Sequence, residues 1–106
     1  MNSSSESLTM ELARSHTERF EHMRSVMEGI IGEPMENTRT NRQVWARAII
    51  ADALYGEGLT TSVVGKLLNR DHSTVTHYIG LVKGMVQAPV MYQWEYETYL
   101  DFMAGL

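Results

Sequence analysis

Residues 44–54, VWARAIIADAL, constrain this chain more than any other stretch. On a 100° wheel Val44, Trp45, Ala46, Ala48, Ile49, Ile50, Ala51, Ala53 and Leu54 surround the helix axis almost completely. A helix that is apolar nearly all round must be covered by other elements on several sides. The rest of the chain is therefore expected to pack around it. Its limits are marked locally. Thr40 followed by Gln43 is a capping box and predicts a start at Asn41. Gly56 and Gly58 predict a stop after Tyr55.

The flanking segments are helical as well. From about Ser7 to Glu28 one face carries Leu8, Leu12, Met23, Val26 and Ile30, with Phe20 and Met27 at its edge. Arg14–Glu18 and Arg24–Glu28 have i,i+4 ion-pair spacing on the wetter side. His16 and Arg19 interrupt the apolar stripe, and His16 reads as a half-buried helix histidine. Ser3–Ser5 is a frayed end or a cap, and Gly29, Gly32 and Pro34 close the helix. Downstream, Thr60 or Thr61 caps a short helix through Leu68, with Val63, Val64, Leu67 and Leu68 inward. A break at Asn69–Asp71 leads into a helix over 71–86 whose core face is Val75, Ile79, Val82 and Val86. A last helix, Val90 to Ala104, sets Tyr92, Trp94, Tyr96, Tyr99 and Phe102 against the bundle. No β alternation and no internal repeat is present. The expected fold is all-α: about five helices in a compact bundle that contains a helix-turn-helix, with a long N-terminal helix.

At 106 residues one domain is the simplest reading. The absence of cysteine excludes disulfides and thiolate metal sites. His72 and His77 are five apart, on different sides of a helix, and no H-E-x-x-H spacing occurs. No metal, no cofactor and no enzymatic activity are expected. No apolar run approaches a membrane span, and the N-terminus lacks the basic-then-apolar order of a signal peptide, so a cytoplasmic protein without a membrane partner is expected. The net charge of −4 argues at first against nucleic acid, but it is unevenly spread. Residues 1–38 hold seven Glu against three Arg, and residues 87–106 hold three acids and no base. Residues 39–86 carry six bases against three acids, so the basic part of the chain is its middle.

That middle also holds the most unusual stretch, NRDHSTVTHYIGLVKGMV (69–86). Arg70, Asp71, His72, Ser73 and Thr74 precede any apolar residue, although a helix start needs one capping residue. The face opposite the core side carries Ser73, His77, Gly80 and Gly84, with Thr74 and Thr76 on its flanks. It is short-chained, uncharged and rich in donors, where a solvent face would carry Glu and Lys. Short polar groups at a helix N-terminus suit major-groove reading, because the helix end can approach the bases closely. Arg70 can reach a phosphate or a guanine. Two short helices joined by a tight turn, 61–68 and 71–86, match helix-turn-helix spacing.

The segment VGKLLNRDHSTVTHYIGLVKGM resembles the signature of the C-terminal DNA-binding domain of DnaA, the bacterial chromosomal replication initiator. The likeness rests on Val64-Gly65, Leu68, Arg70 to Val75 and His77, and it reaches upstream to Asn41-Arg42-Gln43. It covers about 24–106 and is strong over 64–78. The resemblance implies a domain over 33–106, preceded by an N-terminal helix over 1–32 that is linker-like or packed on the bundle. It implies a recognition helix in the major groove of double-stranded DNA. Asp71, His72, Ser73 and Thr74 would read bases, assisted at the backbone by His77 and Arg70. Arg42 and Gln43 would touch base or phosphate nearby, and Arg39 would be the loop arginine that enters the minor groove.

Departures from that family are equally plain. Its loop is strongly basic, whereas GEPMENTRTNR sets Glu33 and Glu36 beside two arginines. The Tyr55–Thr60 connection is longer, with two glycines. No G-x-x-x-x-G-K-[ST] phosphate loop is present, so a free-standing reader is expected and not a whole initiator. The alternative is a protein-interaction or regulatory module with the same fold and little DNA affinity, its acidic flanks and Met-rich, aromatic termini serving partners. Helix 7–28 is the expected surface for a homodimer or a partner protein.

Overall fold

The structure, a computed structural model, describes the backbone of residues 3–106 and the side chains of residues 8–106. Among these residues it contains five α-helices and no strand: α1 (Ser3–Ile31), α2 (Asn41–Gly56), α3 (Thr61–Leu68), α4 (His72–Gln87) and α5 (Gln93–Gly105). No helix is long and apolar enough to cross a membrane.

As its composition requires, α2 is the central element. Trp45, Ala46, Ala48, Ile49, Ile50, Ala51, Ala53 and Leu54 are all buried. It packs most extensively on α4, and α1 and α3 cover other sides. Each fully buried Ile or Leu here contributes about 1.5–3 kcal/mol. The Thr40 hydroxyl accepts from the Gln43 backbone N–H at 3.4 Å, so the cap forms as expected. The reciprocal half of the capping box does not, because the Gln43 side chain turns to the preceding loop.

At 1.5 Å per residue the 29 residues of α1 span about 43 Å, well beyond the 25–26 Å width of the molecule. Only its C-terminal half reaches the core, through Phe20, Met23, Met27 and Ile31. Leu8, Met10 and Leu12 stay at least 60% exposed. The expected apolar face therefore holds from Phe20 onward and fails before it, where the helix has outrun the core. The helix also starts earlier and ends later than its sequence suggests. Gly29 lies within it, and Gly32, at φ +73°, closes it by donating to Glu28 O at 2.9 Å. The expected i,i+4 ion pairs do not form. Arg24 pairs with Glu21 at 2.8 Å, and Glu28 accepts the Met35 N–H at 2.7 Å. Arg19, which breaks the stripe, pairs with Glu57 and fastens α1 to the α2–α3 turn.

Two further boundaries differ from expectation. Val86 is exposed and Met85 takes its place inside, since Val75, Tyr78, Ile79, Val82 and Met85 follow the helical repeat more closely over α4. Residues 88–92 form a turn, so α5 starts at Gln93 and leaves Val90 and Met91 more than 79% exposed.

The α3–α4 turn is three residues long. Asn69 adopts the left-handed conformation at φ 56°, and the Arg70 N–H returns to Gly65 O at 2.8 Å. A Cβ at position 65 would collide with the Arg70 carbonyl, so the turn can settle on α3 only over a glycine. Gly80 lies in the middle of α4 with open space beside it. Gly65→Ala is expected to lower stability by about 1–3 kcal/mol through this clash. Gly80→Ala is expected to raise it by up to about 1 kcal/mol through helix propensity. Denaturant unfolding of the two variants checks both signs.

Candidate nucleic-acid interface

The first turn of α4 is built on Asp71. Its Oδ1 accepts the Thr74 N–H and the Ser73 hydroxyl, both at 2.8 Å. These bonds, with the Thr74 backbone bond foremost, hold the carboxyl below its ordinary range. Thr76 donates back to His72 O at 3.0 Å. Much of the polar equipment of this turn is thus used within the turn itself. His72 and His77 are exposed and make no side-chain hydrogen bond among the described residues. Ser73, Thr76, Gly80 and Gly84 are exposed as well, and Thr74 is half-buried.

Arg70 is half-buried and folds back on the turn, donating from Nη1 to Asn69 O at 3.4 Å. Beside it lies a shallow cleft between the two helices, lined by Ser62, Lys66, Asn69, Asp71 and His72 together with Arg70. Lys66 belongs with these residues, although sequence reasoning counted it only toward the charge. Its signal was there: it is the one basic residue of α3 and stands in the last turn.

The loop over 32–40 has no regular secondary structure, yet side chains of α1 and α2 hold it at several points. Gln43 is 2% exposed. Its Nε2 donates to Glu33 Oε1 at 3.0 Å and Pro34 O at 2.9 Å, and its Oε1 accepts the Glu36 N–H at 2.7 Å. This corrects the expectation that Gln43 touches base or phosphate: its amide is spent on the loop. Arg42 is exposed, but its guanidinium lies over the Trp94 ring at 5.9 Å and donates to Ile31 O at 3.3 Å. It remains available to a phosphate, with one face on α5. Arg39 is exposed at the end of the loop and makes no hydrogen bond among the described residues.

Arg47, which sequence reasoning passed over, connects the two parts. It is 5% exposed. Nη1 donates to Glu36 O at 2.7 Å, Nη2 to Thr38 O at 2.6 Å, and Nε to the Tyr78 hydroxyl at 3.0 Å. Burial pushes the Tyr78 phenol up, but the bond from Arg47 and the positive charges of Arg47 and Arg70 outweigh that and leave it lowered. One guanidinium therefore ties the loop that carries Arg39 to the helix that carries His77. No buried side-chain polar atom lacks a partner, and no cluster of metal-ligating side chains occurs among the described residues.

The Asp71 cap has a pH signature. A carboxyl lowered in the folded state stabilises above its unfolded pKa, and that contribution is lost as pH falls through the folded value. Asp71→Asn keeps a capping oxygen but removes the charge. Wild type is expected to be the more stable at neutral pH, with the gap closing in acid. Thermal unfolding of both proteins across that range measures it.

Comparison of the chain with protein-family models, with curated proteins and with solved structures finds no match.

Proposed function

We propose that this protein is a sequence-specific reader of double-stranded DNA that lays α4 in the major groove. In this reading it is a DnaA-like module acting in the cytoplasm in replication initiation or its regulation. The observation that carries the reading is the outward edge of α4. His72, Ser73, Thr76 and His77 are exposed, and neither imidazole makes a hydrogen bond among the described residues. A helix edge of this kind can approach base edges closely and match donors and acceptors there.

The residues divide by task. His72 and His77 meet base or backbone acceptors. Asp71 reads with Oδ2, since Oδ1 is taken by the cap. Ser73 and Thr74 contribute their hydroxyl lone pairs and the Thr74 methyl. Lys66, Arg70 and Arg42 meet phosphates, and Arg39 reaches the adjacent minor groove. Gln43 and Arg47 shape the surface from behind.

The exposed Leu8, Met10 and Leu12 of α1, with Val90 and Met91 at the α4–α5 turn, favour a second reading as a protein-interaction module. In it, a homodimer or partner forms on α1, and substitutions on the outer face of α4 leave the activity unchanged.

Fluorescence anisotropy with a DnaA-type box and a scrambled duplex, over a salt series, separates the two. The DNA reading expects His72→Ala to remove about 1–3 kcal/mol of preference, roughly 5- to 150-fold, with little change in stability. With three cations assigned to phosphates, log K is expected to fall against log salt with a slope of about −3. Full preference in both His72→Ala and Asp71→Asn would overturn it.

A further inference from the structure

We infer that Arg47 is a positioning residue that sets the distance between two reading elements, the 32–40 loop and α4. The inference rests on the DNA-binding reading and deepens it.

Arg47 is a buried cation with no carboxylate partner among the described residues. Its acceptors are two loop carbonyls and one phenol. Taking a guanidinium out of water for neutral partners is costly, and an apolar side chain of similar volume is often the more stabilising occupant of such a site. Filling the core thus does not account for this residue. Its geometry does. The guanidinium is planar and rigid, so donors on its two sides hold their acceptors at a fixed separation. On one side Nη2 grips Thr38 O, and the next residue is Arg39. On the other side Nε grips Tyr78, the neighbour of His77 and one helical turn beyond Thr74. The loop has no ladder of its own to fix its height above the bundle, and Gln43 anchors only its first half, at Glu33, Pro34 and Glu36. Its second half, which ends in Arg39, is placed by Arg47. A minor-groove arginine and a major-groove helix can read one box together only if their spacing is set before binding, because ordering a loose loop on the DNA would lower affinity.

A double-mutant cycle tests the link without emptying the core. Tyr78→Phe deletes one oxygen and keeps the ring, and circular dichroism verifies its fold. Affinity for the box and the scrambled duplex is measured for wild type, Arg39→Ala, Tyr78→Phe and the double variant. In the wild-type background Arg39→Ala is expected to weaken box binding roughly tenfold. In the Tyr78→Phe background the same change is expected to cost less than about threefold, since the loop has already lost its register. A residue that only supports the fold would lower the melting temperature and leave the two losses equal. Equal losses therefore overturn the inference, as does an Arg39→Ala change that costs nothing in wild type. Arg47→Lys, which keeps the charge and loses the fork, is expected to behave in the cycle as Tyr78→Phe does, and wild-type behaviour would refute the role of the fork. Failure of the wild-type protein to prefer the box is a different result. It refutes the DNA reading itself, and the inference falls with it before any variant is compared.

Discussion

A helix covered on nearly every side leaves its polar residues no water to turn to, and in this protein that constraint shapes what lies outside the helix as well as what packs on it. Gln43 and Arg47 stand on α2 among Trp45, Ala46 and Ala48 and are buried with them. An amide or a guanidinium in such a place must find partners inside the protein. They find them in backbone carbonyls of the 32–40 segment, which forms no ladder of its own. The loop is thus held in one shape by the desolvation of the helix beside it. Glu28 adds a bond from the Met35 N–H, and Arg42 ties the start of α2 to Ile31 O at the end of α1, just before the loop. A segment that would otherwise be the softest in the fold becomes a fixed surface.

The polar first turn of α4 shows the same economy in the opposite setting, at full exposure. Capping accounts for more of it than the sequence suggests, because Ser73 and Thr74 both serve the Asp71 carboxylate. Capping and reading are compatible roles. The two bonds on Oδ1 fix the Asp71 rotamer, so Oδ2 is aimed before any ligand arrives, and preorganisation of this kind lowers the cost of binding. What capping leaves unexplained is His77 and the glycines further along, beside which a Cβ would meet open space.

How legible this was depends on the range of the interaction concerned. Thr40 was readable as a cap, and Thr60 as one of two candidates, because a cap involves residues three apart, whereas Asp71, expected inside its helix, caps it from outside. The Asn69–Asp71 break and the all-round burial of α2 were readable for the same reason, and five helices follow. Partners distant in sequence were not readable. Nothing near Gln43 shows that its amide will face Glu33 and Pro34 instead of solvent, and nothing near Arg47 points to Tyr78, 31 residues away. The Arg24–Glu28 ion pair failed because both charges had competitors that the spacing could not reveal: Glu28 has the Met35 N–H, and Arg24 has Glu21. Leu8 and Leu12 kept the right period but lie where the helix extends past the core. Periodicity specifies which face is apolar, not whether anything is there to meet it.

Formal charge is a poor guide to the field that a ligand would meet here. Of the six bases in residues 39–86, Arg47 is buried with each of its three nitrogens already donating inside the protein, so it is not exposed to a phosphate. Lys83 lies near Asp52, whose carboxyl burial pushes up and Lys83 pulls partly back. The acids are discounted too: Glu33 accepts from the Gln43 amide, and Glu57 is held by Arg19. What remains at the surface is Arg39 and Arg42 by the loop and Lys66 and Arg70 by the turn, with Glu36 and Asp71 beside them. Four cations in two small groups, on a chain of net charge −4, provide little long-range attraction beyond a Debye length of about 8 Å. If the protein reads DNA as proposed, specific affinity must come from short-range fit, and short-range fit tolerates little error in the relative placement of the two groups. A weakly charged reader would need a rigid junction between loop and helix more than a strongly basic one does, and the buried, carboxylate-free Arg47 would meet that requirement.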